Sequence, residues 1–412
     1  MNNRYSLTER LAQHLLRPVD AETRSRSRLH LLDWLGCVAG ARHSAVAATF
    51  ATMQGSALIP ATFLGNVLEM DDVHRAALLH PGPVIWPAVL GGLVATDDMI
   101  GVAVRGYEAM IVVGATFDPR HYAHYHPTAT AGVFGAAAAT AIGLGADEHQ
   151  LAHALALSGS VAGGVWQTRH DDNMAKAWHV AHAVETGASA AFHALHGVTG
   201  PRHVLEGPQG LYAAMTDAPK PMTFGDGWRI AEVSFKPWAA CRHCHPAIDA
   251  ALELRARGQL APPFRIETYA DAIAFCDRPV PTTEAQAKFS LQHSIAVIAA
   301  GREATCADFT PAAIADPVIA CLREQVTVEV AADSTARYPA HFGARVTSAG
   351  GSITLVDTRG DPERPLDADG VITKARSLFA WGGVTNGEAA IVAALDGNDP
   401  VTIIRLLDGW LA

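Results

Sequence analysis

Residues 70–82 read MDDVHRAALLHPG: adjacent aspartates Asp71 and Asp72, then His74, then His80 against a Pro-Gly stop. Carboxylates beside imidazoles can transfer protons near neutral pH, and the same donor set suits a divalent cation. A helix terminus would account for the acidic residues and the Pro-Gly pair, but it has no need of two histidines.

Two further clusters have comparable chemistry. HYAHYHPT (121–128) carries His121, His124 and His126 at a spacing that zinc sites use. Three ligands on one short loop rarely all face inward, so the expectation is one buried histidine, His126, with His121 and His124 at the surface. SFKPWAACRHCHPAIDAALEL (234–254) is the richest stretch. Cys241 and Cys244 form a C-x-x-C at an expected strand-to-helix turn, compatible with a redox pair. No second C-x-x-C completes a four-cysteine zinc site. Lys236, Arg242, His243 and His245 surround the motif with positive charge near a helix N-terminus, which is anion-binding chemistry whatever the thiols do. Lys176, within NMAKAWHVAH, adds a cation in an unusually apolar neighbourhood.

The elements that must hold these residues follow from pattern. The 412 residues are 49% hydrophobic and 17% charged, enough for two or three packed domains. Acidic residues outnumber basic ones 41 to 31 without a Lys/Arg cluster, so neither nucleic acid nor an anionic membrane is an expected partner. The N-terminus lacks the apolar run of a signal peptide, and six scattered cysteines do not suggest a disulfide framework. The expectation is a soluble, cytoplasmic protein. The uncharged stretch 121–146 is rich in Ala and Gly and contains Pro127, which points to a buried, closely packed helix after a loop rather than a membrane span.

The first half recurs apolar at helical spacing. After Met222, WRIAEVSFKPW, RIETYADAIAF and EQVTVEVAAD look like strands, HPAIDAALELRARG looks like a helix, and ARVTSAGGSITLVDTRG looks like a hairpin turning at Gly350-Gly351. The fold class is therefore α plus α/β. A large all-α domain spans 1–222, with 385–412 returning to it, and a smaller α/β domain is inserted at 223–384. Neither a dinucleotide cradle nor a nucleophile elbow is supported.

The ordered stretches MDDVH…HPG, YHPTATAGVFGAAAATA, MAKAWHVAHAVETG, SFKPWAACRHCHPAIDAALEL and AKFSLQHSIAV resemble the MmgE/PrpD family. Its members include 2-methylcitrate dehydratase, cis-aconitate decarboxylase and iminodisuccinate epimerase. The resemblance implies a helical domain with an inserted α/β lid, a homodimer, an active site between the domains, and chemistry on small di- or tricarboxylates that needs neither cofactor nor metal. The implied catalytic residues are Asp71, Asp72, His74, His80, His126, Lys176 and Lys236, with Glu69, Cys241, Arg242, His245 and His293 contacting substrate. In this reading Lys176, Lys236 and Arg242 clamp the anion with His245 in support. His80 and His126, titrating near neutrality, serve as base and acid, and Asp72 orients His74 or His80.

Three positions depart from the family pattern. Glu69 stands where decarboxylases carry aspartate, Cys241 where they carry histidine, and His293 where tyrosine is common. The departures weigh against a decarboxylase. The expectation is a 2-methylcitrate-dehydratase-like lyase, with an epimerase or a decarboxylase as alternatives. A carboxylate-binding dimer without catalysis is the reading from another class.

Overall fold

A computed structural model describes residues 5–53, 55–92, 98–170 and 173–411. The chain divides into two compact units, one spanning 1–67, 71–233 and 368–412, the other 68–70 and 234–367.

The larger unit is helical. Its first long helix, α1 (Ala21–Gly40), starts on an Asp20 cap whose carboxylate accepts the Thr23 amide, and its last eleven residues are all buried. Next come α2 (Gly82–Gly92), α3 (Met99–Gly114), α4 (Pro127–Gly143), α5 (Glu148–Gly159) and α6 (Ala175–Leu195). Every residue of α4 except Ile142 is buried, as expected for a helix that is apolar on all sides. It packs against α2, α3, α5 and α6. Small residues permit this. A Cβ on Gly187 of α6 would lie 2.5 Å from the Ala136 Cβ and 2.7 Å from the Val133 carbonyl oxygen, so only hydrogen fits there. The segment before α4 is a short helix, Pro119–His124, rather than a loop.

The smaller unit holds a four-stranded mixed sheet. CRHCH forms a 3-10 turn running into α7 (His245–Ala256), followed by β1 (Phe264–Thr268), α8 (Leu291–Ala299), α9 (Pro317–Arg323), β2 (Val326–Val330), β3 (Ala344–Ser348) and β4 (Gly351–Leu355). The sheet order is β2-β1-β3-β4, with β1 parallel to β2 and antiparallel to β3. The β3–β4 hairpin pairs Ser348 with Gly351, so the turn is Ala349-Gly350, one residue earlier than the pattern suggests. Phe264, Ile266, Ala344 and Val346 are buried at alternate positions, and α7 packs on β3 and β4.

The chain then returns to the helical unit through α10 (Ala368–Trp381), α11 (Gly387–Asp396) and α12 (Pro400–Leu411). The expected boundaries at 223 and 384 shift accordingly. WRIAEVSFKPW is not a strand: Arg229–Glu232 is a 3-10 turn, and the Arg229 amide donates to Glu108 within the helical unit. Residues 368–384 belong there too, because α10 packs on α1 and Lys374 bonds Asp33 at 2.5 Å. RIETYADAIAF splits into β1 and a short helix beginning at Ala270. Among the described residues no helix is long and apolar enough to cross a membrane.

Candidate active site

In the helical unit, the turn before α2 brings the opening cluster together. His80 Nδ1 lies 2.9 Å from Asp71 Oδ2 and 3.1 Å from the Asp72 carbonyl oxygen. Two acceptors at Nδ1 place the proton there and leave the lone pair on Nε2. Asn66 Nδ2 donates to the same Asp71 oxygen at 2.6 Å, and the His80 amide donates to Thr128 Oγ1 in the first turn of α4. Asp71 is 1% exposed, whereas the His80 side chain keeps 15% of its surface accessible. The imidazole is reachable and its partner is not.

Asp72 has a different task from the one expected. Its Oδ1 accepts the Gly82 amide at 2.8 Å, and its Oδ2 accepts from Tyr107 Oη at 2.7 Å and His30 Nδ1 at 2.8 Å. Its carboxylate touches neither His74 nor the His80 ring; the orienting carboxylate is that of Asp71. Burial pushes Asp72 up to about 6, while the Tyr107 and Gly82 bonds pull against it. His74 leaves the cluster: its Nε2 lies 2.9 Å from Glu232 Oε2 and its Nδ1 accepts the Ala77 amide, which pins the turn.

His126 caps the N-terminus of α4, fully inside, with its ring 4.4 Å from Trp166 and 5.6 Å from His179. Its Nδ1 is buried without a hydrogen-bond partner. Burial first, then the positive charge of Lys176, holds this imidazole well below its ordinary value. It is therefore neutral at pH 7, which corrects the expectation that it titrates near neutrality. Lys176, half-buried in the first turn of α6, is close enough to act on it electrostatically, as are His80 and Asp71. A cleft of about 620 Å³ opens beside Trp166, lined by Arg120, His124, Tyr125, Arg169 and His170.

His121 contradicts the surface assignment. It is 0% exposed, stacks on Phe117 at 3.8 Å, and is driven down to about 4 by burial. Only His124 is exposed. The short helix explains the difference, because it turns His121 inward three residues after its Asp118 cap.

The smaller unit holds the remaining residues. Lys236 is 0% exposed, with its Nζ 3.8 Å from Glu69 Oε2. Glu69 sits at φ 58°, a left-handed conformation that non-glycine residues occupy at a cost. Arg242 is buried and paired with Asp361, and its Nη1 donates to His245 Nδ1 at 3.3 Å. His245 Nε2 in turn donates to the Ala240 carbonyl. The expected clamp members Arg242 and His245 thus brace the turn into α7. His293 is likewise enclosed, donating from Nε2 to the Asp308 carbonyl and accepting Arg323 Nη1 at Nδ1. Burial lowers it to about 4. Cys241 and Cys244 are buried thiols in no disulfide. Burial, reinforced by the neighbouring Cys241 and Cys244, raises the Cys276 thiol well above the ordinary value.

Sequence reasoning missed His30 and Tyr107. The signal existed for His30: Arg26, His30 and Asp33 recur at i, i+4 and i+7, one polar stripe that runs into the buried second half of the helix. Tyr107 stands alone in an apolar helix, so nothing distinguishes it from a core aromatic.

A helical unit carrying a carboxylate–imidazole pair, followed by a small mixed α/β unit, defines the class. The chain belongs to the MmgE/PrpD family: the N-terminal domain of that family matches residues 51–223 and the C-terminal domain residues 238–396. It is similar to cis-aconitate decarboxylase of Homo sapiens, 27% identical over 330 residues, which covers 75% of this chain and 68% of that protein. The enzyme of the same name from Mus musculus is 26% identical over 254 residues, covering 55% of this chain and 50% of that protein. A cis-aconitate decarboxylase-like protein of Aspergillus oryzae is 25% identical over 229 residues, covering 49% and 46%.

Proposed function

We propose that the protein is a lyase acting on a small di- or tricarboxylate by acid–base chemistry that needs neither organic cofactor nor metal. The observation that carries this reading is the His80–Asp71 pair, an accessible imidazole whose tautomer is fixed by a buried carboxylate. His80 Nε2 takes the proton α to a substrate carboxylate, and Asp71 stabilises the imidazolium that forms. Negative charge then builds on oxygens that are already anionic, which the Lys176 ammonium offsets in a partly dry site. His126 enters neutral. A bound carboxylate favours its protonated form, so substrate itself would arm it as the acid that delivers a proton to the leaving hydroxyl. The products are an alkene and water, as in a 2-methylcitrate-dehydratase-like reaction.

Loss of carbon dioxide is the second reading, favoured by the names of the curated relatives. His80 would then have to enter as the imidazolium, its charge balanced by Asp71, and deliver the Nε2 proton to carbon as carbon dioxide departs, returning to the neutral imidazole. Glu69, Cys241 and His293 weigh against it, as departures from the decarboxylase pattern. We propose a second copy of this chain as the partner, with the exposed Trp178 (50%) and Phe192 (53%) of α6, separated by the exposed His182, Glu185 and Ser189, as its anchors. Incubation with methylcitrate, citrate, cis-aconitate and iminodisuccinate, followed by proton NMR in deuterated water, tests the function. A new alkene from methylcitrate or citrate supports the dehydratase. Itaconate from cis-aconitate supports the decarboxylase, and deuterium at the α-carbon without net turnover an epimerase. Inertness toward all four removes the lyase reading.

A further inference from the structure

Asp72 is held by more donors than a helix start requires. Capping α2 takes one carboxylate oxygen, through the Gly82 amide. The other oxygen receives two side-chain donors from different helices, His30 on α1 and Tyr107 on α3. Both donors are fully buried. Their enclosure in the core is costly unless the acceptor opposite them stays in place.

The surrounding charges are arranged about this carboxylate. Along α1, Arg26 lies near Asp72 and His30, and Asp33 pairs with Lys374 from α10. From its own turn, Asp71 and His80 face it. Arg26 also binds the carbonyls of Ile230 and Val233, so it is fixed at the edge of the cluster. Burial keeps His30 well below its usual value, so His30 is neutral and donates one proton from Nδ1. Tyr107 is pushed well above its usual value and donates throughout the working range. The main-chain carbonyl of Asp72, three bonds from this anchored carboxylate, is one of the two acceptors that fix the His80 ring.

We propose that His30 and Tyr107 are positioning residues of the acid–base centre: they hold Asp72 ionised and immobile, and through its carbonyl they set the orientation and tautomer of His80. Neither needs to touch substrate. Protonation of Asp72 would replace an acceptor with a donor against three inward N–H and O–H groups, and the turn would lose its anchor. Asp72 sits at about 6, so the centre would lose its geometry on mild acidification and not only at extreme pH.

The proposal rests on the lyase reading only in its kinetic arm. The substrate-free arm is the carboxyl carbon titration of Asp72 by NMR, assigned by its disappearance in Asp72→Asn. In Tyr107→Phe one donor to the charged form is lost, so the midpoint should rise by about one pH unit. The acid limb of kcat should move up by the same amount, with KM unchanged. His30→Leu should act alike, and His30→Gln, which keeps an N–H donor, should restore both. A merely structural role would lower activity at every pH and leave the limb in place. If Tyr107→Phe does not fold, the His30 pair carries the test. An unmoved Asp72 midpoint in the folded variants overturns the proposal whether or not a substrate is known. A moved midpoint with an unmoved kcat limb overturns the link to His80.

Discussion

At the scale of single residues, His80 and Asp71 carry the proposed chemistry, and their contributions are separable. His80→Ala removes the base and should lower kcat by about 10²- to 10⁴-fold. Asp71→Asn keeps the shape but removes the charge that stabilises the imidazolium, so the loss should approach that of His80→Ala. Kinetics on the best substrate, with circular dichroism as the folding control, checks both; wild-type turnover in Asp71→Asn would show that the pair is only structural. The lysines belong to the same comparison. Lys176→Ala should cost about 2–4 kcal/mol of transition-state stabilisation, His124→Ala almost nothing, and Lys236→Ala, at a fully buried position beside Glu69, should cost stability. His121→Ala should instead cost stability, because it empties a buried site stacked on Phe117. The residue types of the site were legible from MDDVH…HPG and YHPT, but the division of labour was not. Asp71 rather than Asp72 reaches the His80 ring, and which of two adjacent carboxylates does so depends on how the turn folds, information that spacing does not contain.

At the scale of elements, the site depends on how closely α2 and its turn approach. A Cβ on Gly82 would lie 2.8 Å from Asp72 Oδ1, inside the bond that caps the helix. Gly82→Ala should therefore displace Asp72 and lower kcat with little change in the melting temperature of the rest of the unit. By contrast, Gly187→Ala forces α4 and α6 apart and should cost about 1–3 kcal/mol of stability, read by urea unfolding. The long helices and the β3–β4 hairpin were legible because 3.6- and 2-residue periods persist over whole elements. WRIAEVSFKPW was not, because its alternation is too short to separate a strand from an extended segment closed by a 3-10 turn. CRHCH misled differently. Its positive charge reads as anion binding, yet Asp361 and the Ala240 carbonyl, the one 119 residues away and the other beside it, take up Arg242 and His245. Long-range neutralisation of this kind leaves no local trace. The same enclosure shields the thiols: Cys241 is 7% and Cys244 0% exposed, so mild alkylation of the folded protein should spare them.

At the scale of the whole molecule, the buried titratable groups make stability depend on pH, and two sets act in opposite directions. His121 and His293 are lowered to about 4, and His30 and His126 lie well below 6.5, all chiefly through burial. Unfolding exposes them to water, where each gains a proton as pH falls below about 6.5. The unfolded state then binds more protons, so this set makes stability fall with falling pH. Asp33 and Asp72 are raised to about 6, so between roughly pH 4 and 6 the folded state keeps protons that the unfolded state releases. This set makes stability rise as pH falls. With His179, also buried and lowered by burial, five histidines stand against two aspartates, so unfolding takes up protons near pH 5 and stability falls toward acid. Urea unfolding at pH 5, 6 and 7 measures it directly. Replacing His293 or His121 by a non-titrating side chain of similar size should flatten the slope by about one proton each. A slope of opposite sign would mean that the buried aspartates outweigh the histidines, and that the core is best satisfied with Asp33 and Asp72 protonated.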